Sequence, residues 1–395
     1  MCATAAGVHE TIAPQPSGIR VEEAPAVRAL ARIQERAIAL RASDVHLEPW
    51  PMGGRVRFRI DGRLCELETL DGIIFAPLVS RIKLLAGMDI SDRRQPQDGR
   101  YTITSQQRTF EARVSSVPTV DGEKVVLRLL DMRARGAGLD ALGMSPGVSY
   151  RYRQLLRSPY GFIIVTGPTG SGKTTTVYSS LREIDDESRS ICTVEDPVEV
   201  LLPGVSQVNV NVRAGLDFAT VLRSLLRQDP NVIMIGEMRD GETAAVAIRA
   251  ALSGQLVFTT LHSNDAPRAI ERLVDLGVDR RAIAASILGI LAQRLIRRLC
   301  GACRRSLNGD TESTSASAGC EKCAHSGYFG RTGIFELLEI DDEAREAIAA
   351  GASIVAVAAA GKRLGYEPLI VDGMSRVAAG DTSQDELRRV VALPS

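Results

Sequence analysis

The run Gly167-Pro168-Thr169-Gly170-Ser171-Gly172-Lys173-Thr174-Thr175 carries the first chemical signal. Its first eight positions fit G-x-x-x-x-G-K-[ST], a pattern in which glycine-rich backbone turns its N–H groups onto phosphate oxygens. The helix that must follow adds the positive end of its dipole. Lys173 is expected to reach the β- and γ-phosphates and Thr174 to ligate Mg²⁺. The flanks suit this chemistry: the apolar run Phe162 to Thr166 reads as a strand leading in, and Thr174 to Ile184 as a helix leading out. ATP and Mg²⁺ are the expected ligands.

A carboxylate for Mg²⁺ belongs at the end of another buried strand, and Val232 to Ile235, then Gly236, leads to Glu237. A further strand, Ile191 to Val194, ends in Glu195 and Asp196, with Glu199 shortly after. One of these three acids is expected to orient or deprotonate the attacking water, which requires hydrogen-bond reach of it. His262 follows a third apolar strand, Leu256 to Leu261. Open α/β sheets bind ligands at the carboxyl ends of their strands. His262 therefore reads as a γ-phosphate sensor, or else as a structural histidine.

Late in the chain, Cys300, Cys303, Cys320 and Cys323 make C-x₂-C-x₁₆-C-x₂-C. Two tight turns, each offering two thiolates, suit a structural tetrahedral Zn²⁺ with no open position. His325 is surplus to that set, and the polar insert Asn308 to Gly319 needs no packing of its own once the metal pins its ends. Arg294, Arg297, Arg298, Arg304 and Arg305 around this element read as a solvated basic helix end, with acidic lipid or a protein partner as the alternative.

These groups need elements to position them. Residues 1–25 read as a flexible N-terminus. Residues 26–132 read as a small α+β domain, with an amphipathic helix Val27 to Leu40, a strand through Ser43 to Glu48 and a hairpin turning at Asp61-Gly62. A helix from Phe75 to Ala86, a turn at Pro96 to Gly99, and strands Arg108 to Val114 and Lys124 to Leu129 complete it. Glycine-rich 133–150 reads as a linker. From 151 to 299, wholly apolar strands alternate with helices, the mark of a parallel sheet covered on both faces. The cysteine element (300–330) and an alanine-rich helical region (331–395) follow.

Composition sets limits. Of 395 residues, 45% are hydrophobic and 24% charged, which excludes a wholly disordered chain. Lys+Arg and Asp+Glu are both 48, so no global field draws the chain to nucleic acid. Only 4% of residues are aromatic, which speaks against base stacking. The longest apolar run, Ala282 to Ala292, falls short of the ~20 residues that span a bilayer. No secretory signal is evident in Met1 to Pro16. A cytoplasmic protein with no nucleic-acid partner is the expectation.

Four segments closely resemble the ATPases of type II secretion and type IV pilus assembly, within the secretion-ATPase superfamily. Gly167 to Thr176 is similar to that family's Walker A, Thr193 to Glu199 to its Asp box, Leu226 to Asp240 to its Walker B, and Thr259 to Asp265 to its His box. The likeness extends back over Ala42 to Glu48, Val56 to Gly62 and Gln95 to Arg100, and forward through Ala292 to Cys300. It implies an α/β, RecA-like P-loop core behind the small α+β domain, with a C-terminal zinc-binding and helical element. It also implies a homo-hexameric ring with ATP between the two domains, driving an inner-membrane platform protein with only peripheral membrane contact. By motif match, Glu199 takes the catalytic-carboxylate position, Glu237 the Mg²⁺ position, and Arg113 and Arg128 those of the arginines that reach the γ-phosphate. Arg55, Arg57 and Arg59 compete for that last role. The function implied is a motor for pseudopilus assembly and protein secretion. The alternatives are a pilus or competence assembly ATPase and, further off, a nucleic-acid-dependent RecA-like ATPase. Two features depart from the family. Secretion members usually carry a further N-terminal docking domain, where about 25 residues precede the first helix here. Gln255 stands where many members have a second histidine, so no role is carried over to it.

Overall fold

The computed structural model describes residues 24–105, 107–131, 138–303 and 319–391. The chain divides into two units, Met1–Asp131 and Met132–Ser395.

The N-terminal unit is a six-stranded antiparallel sheet with two helices. Its strands are β1 (Ala42–Trp50), β2 (Gly53–Ile60), β3 (Arg63–Asp71), β4 (Gln97–Ser105), β5 (Arg108–Thr119) and β6 (Gly122–Asp131), in the order β3-β2-β1-β6-β5-β4. Helices α1 (Pro25–Ala39) and α2 (Gly72–Leu85) cover one face. Side chains alternate across a strand. Val45, Leu47, Val56, Phe58, Val125 and Leu127 thus go to the core, beneath Leu30, Ile33, Leu78 and Ile82. The intervening residues put Asp44, His46 and Glu48 of β1 on the other face, between the arginines of β2 and Arg128 of β6. The stretch expected as a turn at Pro96–Gly99 instead opens β4. Its polar residues fit an edge strand, where one side of the ladder stays open to water.

The second unit holds a seven-stranded sheet, ordered β13-β12-β7-β11-β10-β8-β9. These strands are β7 (Gly161–Thr166), β8 (Ile191–Glu195), β9 (Ser206–Asn209), β10 (Val232–Ile235), β11 (Leu256–Leu261), β12 (Ile287–Leu299) and β13 (Tyr328–Glu339). All pairs are parallel except β12 with β13. Helices α3 (Pro146–Leu156) and α4 (Lys173–Ile184) pack on one face through Tyr152, Leu156, Val177 and Leu181, against Ile163, Val165, Met234 and Phe258. The other face carries α5 (Phe218–Leu225), α6 (Gly241–Leu252), α7 (Ala266–Asp275) and α8 (Arg280–Ser286), against Ile164, Val194, Ile235 and Val257. Burial from both sides explains why these strands read as unbroken apolar runs. The chain ends in α9 (Asp342–Ala349), α10 (Ile354–Gly361), α11 (Leu369–Ala378) and α12 (Gln384–Val390).

Three sequence readings change here. Residues 331–339 are not helical. They belong to β13, which pairs with β12 over nearly its whole length and so joins the sheet of the 151–299 core. Arg294, Arg297 and Arg298 lie on β12, not on a helix end. Arg297 is buried, paired with Glu386 at 2.7 Å and stacked 3.9 Å over the Tyr328 ring. The described part of the expected linker is folded: Leu139 is buried among Tyr152, Leu156 and Phe335, and Ser145 caps α3. Residues 1–23, Arg304, Arg305, 133–137 and most of the polar insert lie outside the described residues.

Candidate nucleotide site and metal centre

β7, β11, β10 and β8 are neighbours in the sheet and all run the same way. Their carboxyl ends therefore bring together the loop 167–172, His262, Glu237 and the acids 195–199. Sequence separation gave no guide to this grouping; parallel register did.

The loop leaves β7 through Gly167 and enters α4 through Gly172, whose φ of 90° lies in the left-handed region that glycine tolerates. Lys173, at 9% exposure, donates to the carbonyls of Gly167 at 2.8 Å and Pro168 at 3.0 Å. Its Nζ also lies 3.5 Å from Nδ1 of His262. The other ring nitrogen, Nε2, lies 3.2 Å from Oε1 of Glu237. Lys173, His262 and Glu237 thus form one chain of contacts. Burial brings the Lys173 ammonium down to about 8, against the nearby Glu237 carboxylate, which favours the charge. Burial pushes Glu237 up, but Arg239 overrides it and holds the carboxyl below its ordinary range. Arg239 spans two acids, donating to Glu237 at 3.0 Å and to Asp196 at 3.1 Å. Arg239 was not among the residues the sequence singled out, although it lies inside the Leu226–Asp240 segment, two places after Glu237.

The three acids at and just after the end of β8 separate. Glu195 is buried and consumed by structure: Tyr178, Thr193 at 2.5 Å and Gln207 at 3.1 Å all donate to it. Asp196 pairs with Arg239. Glu199 is exposed, and its backbone N–H donates to the Tyr178 hydroxyl at 3.4 Å.

In the N-terminal unit, Arg113 and Arg128 are cross-strand partners. Arg128, at 66% side-chain exposure, donates to Asp44 at 3.0 Å, and Arg113 to Glu111 at 3.2 Å. The rival arginines are engaged by β1: Glu48 holds Arg55 at 2.7 Å and Arg57 at 2.6 Å, and Asp44 lies 3.6 Å from Arg59.

The four cysteines converge, with all sulfurs within 4.8 Å of one another. Cys300–Cys320 is 3.9 Å, Cys303–Cys323 3.8 Å and Cys320–Cys323 3.8 Å. A tetrahedral Zn²⁺ with bonds of about 2.3 Å sets its sulfurs about 3.8 Å apart, so the donor set fits the ion. Burial alone would raise the Cys323 thiol, but N–H groups of Cys320 and Gly327 bring it down to about 6, favouring the thiolate that zinc requires.

A P-loop on a parallel sheet, with acids and a histidine at the adjacent strand ends, defines an ATPase with a RecA-like core. A family model described as type II/IV secretion system protein matches residues 20–389. The type II secretion system protein HxcR of Pseudomonas aeruginosa is 47% identical over 367 residues, covering 93% of this chain and 77% of that protein. The type IV pilus assembly ATPase PilB of Acinetobacter baylyi is 42% identical over 389 residues, covering 94% and 67%. Among solved structures, the pilus retraction motor PilT with bound ADP aligns with a TM-score of 0.57 at 27% identity, covering 91% of this chain and 98% of that one. The chain belongs to the type II/IV secretion system protein family. It is an ATPase motor of the secretion and pilus-assembly kind, using ATP with Mg²⁺ and carrying a cysteine site for Zn²⁺.

Proposed function

We propose that this ATPase works as a homo-hexameric ring in the cytoplasm, bound peripherally to the inner membrane, where it drives a platform protein of a type II secretion-like machine. Residues 167–175 bind the nucleotide phosphates, with Lys173 on the β- and γ-phosphates. Thr174 and Glu237 hold Mg²⁺, and His262 reads the γ-phosphate. Glu199 orients or deprotonates the water. Arg113 and Arg128 supply guanidinium charge for the transferring phosphoryl oxygens, a service worth roughly 10³–10⁵ in rate where an NTPase uses it. Cycles of binding and hydrolysis move the α+β domain (26–132) relative to the core, since nucleotide shifts a conformational equilibrium only through different affinities for its states.

The observation that carries this reading is the Lys173–His262–Glu237 chain of contacts at adjacent strand ends. No helix among the described residues is long and apolar enough to cross a membrane.

The test is Mg²⁺-dependent ATP turnover against protein concentration. Specific activity should rise with concentration, vanish in Lys173→Ala, and fall by about 10³ or more in Arg128→Ala. Activity independent of concentration overturns the shared-site ring. Turnover that appears only with DNA overturns the secretion reading. The 42% likeness to a pilus assembly ATPase favours pilus assembly as the second reading. A pull-down from native membranes separates the two by the platform protein captured.

A further inference from the structure

Gln293 on β12 has both ends of its side chain committed to the phosphate loop, yet the activity described so far gives it no part. It is 2% exposed. Its Nε2 donates to the Ser171 carbonyl at 2.7 Å, and its Oε1 accepts from the Thr176 hydroxyl at 2.7 Å. Backbone and side chain both press on the loop: a Cβ at Gly167 would sit 2.4 Å from the Gln293 carbonyl oxygen, and one at Gly172 would sit 3.1 Å from the side-chain Nε2. Both ends of the loop are therefore moulded on this one residue. The next residue serves the other side of the sheet, where Arg294 donates to the Asn264 carbonyl at 3.0 Å and to its side-chain oxygen at 3.2 Å. Adjacent residues on a strand point to opposite faces, so this pair ties the phosphate loop and the His262 loop to the same point on β12.

A buried carboxamide costs free energy unless both its ends are bonded. An apolar side chain would fill the space without that requirement, so the amide needs a reason. The trans peptide supplies one. Across a planar trans unit the C=O and the following N–H point in opposite directions. Holding the Ser171 carbonyl toward β12 forces the Gly172 N–H away from β12. Gly172, free to rotate by its lack of a side chain, would not keep that direction unaided.

We infer that Gln293 is a positioning residue, which fixes the Ser171–Gly172 peptide so that the Gly172 N–H faces the phosphates. The inference rests on reading residues 167–175 as the nucleotide loop. A carboxylate at 293 would face the Ser171 carbonyl without a proton to donate and would bring negative charge beside the phosphates, so the neutral amide is the group that fits.

The test uses the full chain, with binding of fluorescently labelled ADP and Mg²⁺ as one readout and the thermal midpoint without nucleotide as the other. Gln293→Met keeps length and packing but makes neither hydrogen bond. It is expected to weaken Mg·ADP about tenfold, from the loss of about 1.4 kcal/mol, while the nucleotide-free midpoint stays within a few degrees. A packing role would move the midpoint and leave affinity alone. Affinity within twofold of the parent overturns the inference. Should Gln293→Met fail to fold, Thr176→Val decides, because it releases the Oε1 end and lets the amide turn. A loss of about threefold or more supports the inference, and unchanged affinity overturns it. Lys173→Ala separates this from the underlying reading. If Lys173→Ala binds Mg·ADP as tightly as the parent, the loop assignment itself fails. If it loses binding while Gln293→Met does not, only the positioning role fails.

Discussion

At the scale of single residues, charge and burial set the chemistry. Lys173 is largely withdrawn from water, which favours the neutral amine, and Glu237 works against that effect. Glu237→Gln removes the opposing charge, so a larger share of Lys173 is neutral at pH 8. Acylation of Lys173 by an amine-reactive probe at that pH, quantified on its peptide by mass spectrometry, should rise in the variant by no more than about twofold, since about half of the amine is already neutral there. Glu386 titrates in the other direction. Its burial would raise the carboxyl, but hydrogen bonds from Arg389 and Arg297 bring it down to about 2. A folded value below the ordinary 4.5 contributes stability that is full above pH 4.5 and disappears as pH falls toward 2. Glu386→Gln should therefore cost about 3 kcal/mol at pH 7. Its gap to the parent should close as pH drops from 4.5 toward 2, as read by urea unfolding across that range.

At the scale of elements, backbone contacts decide what a position tolerates. Gly99 of β4 passes so close to the end of α2 that a Cβ there would lie 2.3 Å from the Ala86 carbonyl oxygen. Neither strand nor helix end can retreat cheaply, because Arg100 N–H also bonds that oxygen at 3.3 Å. Gly99→Ala should destabilise the N-terminal unit by about 2 kcal/mol, the cost of overpacking. Gly62→Ala, at a turn with φ of 85° and open space around the new Cβ, should cost only about 1 kcal/mol, from the left-handed backbone. Chemical denaturation of the two full-length variants, compared with the parent, checks both. Glu336 shows the same economy in β13. Its carboxylate accepts the first N–H of α7 and that of Leu369 at the start of α11, so one buried acid joins the loop after His262 to the C-terminal helices. Burial pushes that carboxyl up to about 7.

At the scale of the whole molecule, the metal centre closes the longest excursion from the sheet. β12 delivers Cys300 at its end, and β13 begins just after Cys323. The two strands that complete the sheet are therefore joined through the cysteine element. About one Zn²⁺ per chain is expected by elemental analysis, and it should be lost in Cys323→Ser. Chelation should lower the thermal midpoint, since metal binding to a site absent from the unfolded chain is folding free energy. A chain with no zinc, or a midpoint indifferent to chelator, overturns this assignment.

Local pattern carried a good deal of this. The glycine-lysine loop, the apolar strands that end in Glu237 and His262, and the cysteine spacing were all legible, because each is a short-range pattern of residue types with one physical use. The helical reading of 331–339 failed because its neighbours are alanine-rich, while the partner that makes it a strand, β12, lies outside any local window. What only the tertiary structure decided were the choices among equals. Of three acids at the end of β8 and just beyond, it buried Glu195 and tied Asp196 to Arg239. Of the polar residues on β12, it brought Gln293 to the phosphate loop from 122 residues away. Those outcomes depend on sheet order and register, which are set by packing summed over the whole chain and leave no mark at the residues they select.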